Sequence, residues 1–306
     1  MFESIESYLR ALKAALHGAD PALVQDALWD AEAHLGSALT ALRAEHPETP
    51  EPEALASVLA TFGTPEEVAE AYLEREAVVA QALHPKAARV AGDPDVSLAP
   101  LAPWPGLFEV LQTPKAYTSL LYLVMSLATG IFFFTWAITG LSLSIGLFVL
   151  IIGIPFAIAF LGSVRMLALV EGRLVEALLD VRMPRRPSLL PEGKGWMERL
   201  KNLLTDGHTW TSLAYLILHL PLGILFFTLM VTGLSLSISF MLAPIAHWLF
   251  GAAFTVDFGY GQLPHTGWIL LLNAVGGFFG LLGTLHLALA LGRFQGFLAK
   301  HMLVRR

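Results

Sequence analysis

Two patterns of hydrophobic and polar positions divide the chain. Up to about residue 83, apolar residues recur at helical spacing among charged ones; beyond residue 106 they merge into long apolar runs. Phe2, Ile5, Tyr8, Leu9, Leu12 and Leu16 lie three or four apart and predict one amphipathic helix face. Asp20-Pro21 predicts a cap and the first turn of a second helix running to about Arg43. "HPETPEP" breaks that helix. A third, over Glu53–Phe62, stops at Gly63, which suits a left-handed helix end. In "TPEE" Thr64 caps a fourth helix, Pro65 takes its first position and Glu67 closes a capping box. Val68, Ala71, Tyr72 and Leu73 are expected to point inward. Four short helices in about 84 residues make a marginal bundle, one that leans on a partner, the membrane or a second copy.

The apolar runs predict membrane spans. No charged residue lies between Lys115 and Arg165, and only Asp257 lies between Asp206 and Arg293. A spanning helix needs about 20 apolar residues, so each gap has room for two. Residues 84–106 hold five prolines and two glycines with no sustained period and predict an extended tether. Pro103, Trp104 and Pro105 are expected at the membrane surface, where tryptophan is favoured.

The runs are duplicated. "YTSLLYLVMSLATGIFFFTWAITGLSLSIG" (117–146) matches "WTSLAYLILHLPLGILFFTLMVTGLSLSIS" (210–239) at 18 of 30 positions, an offset of 93. Each copy opens on an aromatic residue (Tyr117, Trp210), with a tyrosine five positions on (Tyr122, Tyr215), where interface anchors are expected. The repeated "TGLSLSI" reads as the end of one span and a tight turn into the next, glycine permitting the turn and serines bonding freed backbone groups. "LGSVRMLALVEGR" (161–173) resembles "LGTLHLALALGR" (282–293), so the second copy has gained 28 residues between its turn and its second span. The expected spans are about 117–139, 143–164, 210–232 and 267–291. Both repeats then share one orientation and are related by an axis along the membrane normal. The expected fold is all-α, a small cytoplasmic helical bundle followed by a four-helix transmembrane bundle of two duplicated parallel-topology hairpins.

On the fourth span Gly276, Gly280, Thr284, Ala288, Gly292 and Gly296 put a small residue at every fourth place, the pattern of close helix contact. That contact is expected within the bundle, with a homodimer seam as the alternative. "VEGRLVEALLDVRMPRR" and "LGRFQGFLAKHMLVRR" read as basic amphipathic segments lying on the inner leaflet.

Composition and charge sharpen this picture. The chain is 55% hydrophobic and 14% charged, against about 25% charged in an average soluble domain. Residues 1–84 carry 15 acids and 4 bases. They lack a basic start followed by an apolar run, so no signal peptide is expected. The absence of cysteine excludes disulfides and thiolate metal sites. Eight basic residues fall in 164–209 and four more in the tail, whereas 140–143 and 233–267 hold none. The positive-inside rule therefore places both termini and the link between the repeats in the cytoplasm.

The segments "YLRALKAAL", "DALWDAEAHLGSAL" and "LATFGTPEEVAEAYLE" resemble the HAAS signalling domain of bacteria, with its acidic helix ending in His34-Leu35 and its step Gly63, Pro65, Glu66, Glu67, Ala69 into the last helix. The resemblance covers about residues 1–80 and implies a cytoplasmic interaction domain without catalysis. Residues 104–304 resemble the four-span sensor domain found ahead of the kinase core in bacterial histidine kinases: an aromatic-led "L-x-Y-L" span, an apolar hairpin, an arginine-bearing exit, and a repeat with a longer outer loop holding an aspartate. No phosphoacceptor histidine segment or ATP-binding domain follows before Arg306, so sensing is implied and autokinase activity is not.

Candidate chemistry is sparse. Asp26, Asp30 and His34 lie at i, i+4 and i+8; a solvated acidic face is expected there, and no metal. His219 and His286 fall within spans, where ionisable residues are functional candidates. A haem or quinone held by the two is the sharp alternative; a histidine hydrogen-bonded between helices is the plain one. The outer insertion holds His247, Trp248, Asp257, Tyr260 and His265, the candidate ligand-sensing group. No metalloprotease helix, phosphate loop or nucleophile elbow is present. The resulting expectation is a non-enzymatic membrane sensor without cofactor, passing a signal to a transcriptional regulator or kinase through residues 1–83, with no direct nucleic-acid contact. A transporter membrane subunit and a haem- or quinone-binding protein are the alternatives.

Overall fold

The computed structural model describes residues 2, 4–48, 50–83, 104–148, 152–185, 196–250 and 267–304. The described elements are the helices α1 (Ile5–Ala15), α2 (Pro21–Glu45), α3 (Glu51–Phe62), α4 (Pro65–Leu83), α5 (Pro114–Leu147), α6 (Gly153–Leu179), α7 (Trp196–Thr205), α8 (Gly207–Phe250) and α9 (Gly267–Leu303), with a short 3-10 turn at Glu109–Gln112. They fall into two compact units. One holds α1–α4, residues 182–185 and α7; the other holds α5, α6, α8 from Thr209, and α9.

The amino-terminal helices start where local chemistry stops their backbone donors going unsatisfied. Ser4 and Ser7 form a reciprocal capping box on α1, and the Asp20 carboxylate accepts the Ala22 amide at 2.9 Å to open α2. Gly63 has φ +103°, outside the range an L side chain favours. Beside it, the Thr64 amide donates to Glu67 Oε2 at 2.9 Å and the Glu67 amide donates to Thr64 Oγ1 at 3.3 Å. Tyr8, Leu12, Leu16, Ala27, Ala31, Leu35, Val58 and Ala69 form the core. On α4 the inward face is Pro65, Val68, Ala69, Tyr72 and Glu76. Ala71 and Leu73, expected inside, are exposed, because the helical phase set by Pro65 carries them past the core.

Each of α5, α6, α8 and α9 is long and apolar enough to cross a membrane. The heptapeptide "TGLSLSI" is not a turn. In both copies it is helical, and α5 continues to Leu147 and α8 to Phe250. A helix satisfies every backbone group inside hydrocarbon, whereas a turn at Gly140 would free several. The serines bond back within their own helices: Ser144 Oγ donates to the Gly140 carbonyl and Ser237 Oγ to the Gly233 carbonyl, both at 2.7 Å. The glycines admit neighbours. A Cβ on Gly140 would lie 2.1 Å from the Phe160 ring, and one on Gly233 would lie 2.8 Å from Thr284 Oγ1. The repeated sequence is therefore a repeated packing face, with α5 on α6 and α8 on α9.

The two repeats meet through a second glycine pair. A Cβ on Gly130 would lie 3.0 Å from the His219 carbonyl oxygen and from Leu220 Cα; one on Gly223 would lie 2.4 Å from the Ser126 carbonyl oxygen. The repeat offset maps Gly130 onto Gly223 and Ser126-Leu127 onto His219-Leu220. The contact is isologous, as a two-fold axis demands. Since α5 and α8 run the same way, that axis lies along the helices.

The helical parts of the segments read as surface amphipathic helices are the last turns of α6 and α9 instead, and residues 180–185 follow α6 without helix. Glu171, Gly172 and Val175 are buried on α6, and Gln295, Gly296, Ala299 and Leu303 on α9. Of their charged helical residues, Arg173 is exposed and Glu176, Arg293 and Lys300 are partly exposed, whereas Glu171 faces the interior.

Candidate functional site

One face of each repeat's first span carries small and polar residues at matching places: Ser119, Tyr122, Ser126 and Gly130 on α5, and Ser212, Tyr215, His219 and Gly223 on α8. Spacings of three and four residues keep them on one side of the helix. In hydrocarbon that side turns inward, and all eight are buried. Tyr122 and Tyr215 are 2% and 1% exposed. They are core residues rather than interface anchors; Tyr117 and Trp210, five residues earlier, are the exposed aromatics.

The two tyrosines converge on an acid. Glu171 of α6 is fully buried, and its Oε1 accepts the Tyr122 hydroxyl at 2.5 Å and the Tyr215 hydroxyl at 3.1 Å. Gln295 of α9, also fully buried, donates from Nε2 to the Tyr215 hydroxyl at 2.9 Å and lies 3.4 Å from the Tyr122 hydroxyl. His219 Nε2 is 3.0 Å from Thr129 Oγ1 and 3.9 Å from Glu171 Oε1, and its Nδ1 is 3.4 Å from Gln295 Nε2. Four helices thus each give at least one polar side chain to one cluster. Tyr122, Glu171, Tyr215 and Gln295 lie about two turns inside the same end of the bundle.

The two intramembrane histidines have separate partners. His219 belongs to the cluster, whereas His286 Nδ1 bonds the Leu282 carbonyl of its own helix at 2.9 Å. His247 is half-buried and Trp248 is 83% exposed near the far end of α8. Asp257, Tyr260 and His265 lie outside the described residues. On α9, Gly280 closes on Ser237, Thr284 lies against Gly233, and Ala288 is fully buried. A Cβ on Gly276 would meet nothing within 4 Å among the described residues, and the close contact falls at Gly277, whose Cβ would lie 2.6 Å from the Met241 amide nitrogen.

A second constellation belongs to the amino-terminal unit. Arg182, three residues past α6, puts Nη2 3.0 Å from Asp26 Oδ2 on α2 and Nε 3.0 Å from Glu76 Oε1 on α4. Asp26 Oδ1 accepts the Arg185 amide at 2.6 Å. Between these contacts Met183 is fully buried. Of the face expected to be solvated, only the Asp26 end is buried, against Arg182; Asp30 is half-buried and accepts the Tyr72 hydroxyl at 3.4 Å, and His34 stacks on Phe62 and is exposed. Burial and the neighbouring Asp30 charge push the Tyr72 hydroxyl up to about 12.

Sequence reasoning found His219 but missed Tyr122, Glu171, Tyr215 and Gln295 as a group. The matched small-and-polar stripes of the duplicated blocks were the available signal. Asp26 and Arg182 are 156 positions apart, and no local pattern joins them.

Two protein-family models match the chain. The family model described as "Putative sensor" matches residues 122–303, a range that includes all five cluster residues, and the HAAS model matches residues 7–71. No curated protein and no solved structure is matched.

Proposed function

The chain belongs to the sensor family matched over residues 122–303, and on that premise we propose that it is a non-enzymatic signalling protein of the bacterial cytoplasmic membrane. Its four-span bundle senses an external or membrane state. Its HAAS domain, facing the cytoplasm with both termini, passes that state to a transcriptional regulator or kinase bound through residues 1–83. The asymmetry of basic residues supports this orientation.

One observation carries the relay. The residues that leave α6 are gripped by α2 and α4 through Arg182, Arg185 and the buried Met183. A guanidinium that hydrogen-bonds the Asp26 carboxylate and pairs by charge with Glu76 ties the segment to two helices. A shift at the end of α6 is thereby delivered to two helices of the interaction domain.

The test is affinity capture from native membranes with the full chain and with a chain lacking residues 1–83. A regulator or kinase is expected with the first and lost with the second. Transport subunits recovered equally by both would overturn the relay reading.

A further inference from the structure

The polar cluster has a surplus of acceptors. Glu171 Oε2 and Gln295 Oε1 have no hydrogen-bond partner among the described residues, although both side chains are fully buried and both bond the Tyr215 hydroxyl. Groups facing Glu171 are Tyr122 from α5 and Tyr215 and His219 from α8, and Gln295 from α9 bonds the same Tyr215 hydroxyl. Along α6 itself, Arg165 donates to Thr209 and Arg173 pairs with Glu176. Among the described residues the nearest group able to carry positive charge is thus His219, at 3.9 Å.

His219 is already satisfied as a neutral ring. Thr129 Oγ1 lies 3.4 Å from the Met125 and Ser126 carbonyls and donates its proton to them, leaving the oxygen to accept Nε2–H. Nδ1 then faces the donor amide of Gln295, where a further ring proton would be repelled. The chain therefore leaves the charge of a fully buried carboxylate unbalanced, a costly arrangement in hydrocarbon.

We propose that this cluster binds one monovalent cation, taken up as a proton or as Na⁺. A proton on Oε2 turns an orphan acceptor into a donor and removes the charge. Na⁺ takes oxygen ligands, and the two unpartnered oxygens are of that kind. A divalent ion would leave an uncompensated positive charge beside a single carboxylate, so the site selects valence one. The inference rests on the sensing reading only in making this cation an input to the sensor.

The test uses the full chain in lipid nanodiscs. Thermal unfolding is followed as Na⁺ replaces choline at fixed pH, and again as pH is varied in choline alone. One series is expected to shift the wild-type midpoint with one-site saturation. Glu171→Gln should abolish that shift and Glu176→Gln should keep it. Should Glu171→Gln fail to assemble, infrared difference spectra of the wild type decide. A carboxyl band that appears on acidification marks the proton, and a carboxylate band that moves on adding Na⁺ marks the metal ion. No response in either series, or a response surviving in Glu171→Gln, overturns the site. A null result here with partner capture intact sinks only this inference; lost capture with cation binding intact sinks only the relay.

Discussion

Replacing Asp26 with alanine should free the segment that follows α6. The Asp26 carboxylate makes two contacts there, a charged one to Arg182 Nη2 at 3.0 Å and one to the Arg185 amide at 2.6 Å. The Arg182 and Asp26 side chains are only 17% and 8% exposed, so water compensates little. Removing one member of a fully buried pair costs about 3–5 kcal/mol. The Glu76 carboxylate remains 3.0 Å from Nε in the variant, an ion pair that still offsets the guanidinium charge, which places the loss at the low end, about 3 kcal/mol. At about 1.4 kcal/mol per tenfold, the released state should become roughly a hundredfold more populated.

Hydrogen exchange on the full chain reads this directly. Pro184 has no amide proton, so the Arg185 amide stands almost alone in its peptide. Its exchange should accelerate roughly a hundredfold in Asp26→Ala, with the amides of α5 unchanged. Glu76→Gln is the graded control: its carboxyl is about one-third exposed, and its loss should cost less than about 1 kcal/mol. Arg185 exchange at the wild-type rate in Asp26→Ala would refute the clamp as the hold on this segment.

Two further predictions concern helix packing and capping. Gly223→Ala should destabilise more than Gly130→Ala, because its Cβ would enter the Ser126 backbone at 2.4 Å rather than stop at 3.0 Å; overpacking of this kind costs about 1–3 kcal/mol, and thermal unfolding in nanodiscs gives the ranking. Hydrogen bonds from the Thr64 amide and hydroxyl region hold the Glu67 carboxyl below its ordinary value. A lowered acid contributes stability above its unfolded value and loses it as pH falls through the folded one, so the start of α4 should fray on acidification. Exchange of the Thr64 amide should follow that loss, and Glu67→Ala should remove its pH dependence.

How much of this could be read in the sequence depends on the range of the interaction. The capping box at Thr64–Glu67 and the helix opened by Asp20-Pro21 are set within four residues, and both stand in the structure as the sequence implies. The duplication gave the two-fold relation, because identical faces are expected to make equivalent contacts. The heptapeptide misled because glycine followed by serines is turn chemistry in water; in hydrocarbon the same residues make a smooth helix face whose hydroxyls bond the preceding turn. The tyrosines misled in a related way. Five residues separate Tyr117 from Tyr122, so the two cannot share one side of a helix. If Tyr117 is the interface residue, Tyr122 must face elsewhere, and a neighbouring stripe of serine and glycine makes the bundle interior the place for it.

The duplicated frame also explains why the cluster is lopsided. Tyr122 and Tyr215 are repeat mates and approach the axis as a symmetric pair. The residues they meet are not mates: with the shared Gly-Arg ending of the two spans aligned, Glu171 corresponds to Leu291 and Gln295 to Val175. One repeat supplies the acid and the other, one turn further along, supplies the amide. His219 corresponds likewise to Ser126, so only one side carries an imidazole. A symmetric pair of acids at the axis would repel and force two charges into hydrocarbon. Divergence of the copies leaves a single acid served by both tyrosines, and any charge change there acts unequally on two otherwise equivalent hairpins. The hairpin that bears Glu171 is also the one whose chain runs on into Arg182, the residue that pairs with Asp26 and Glu76.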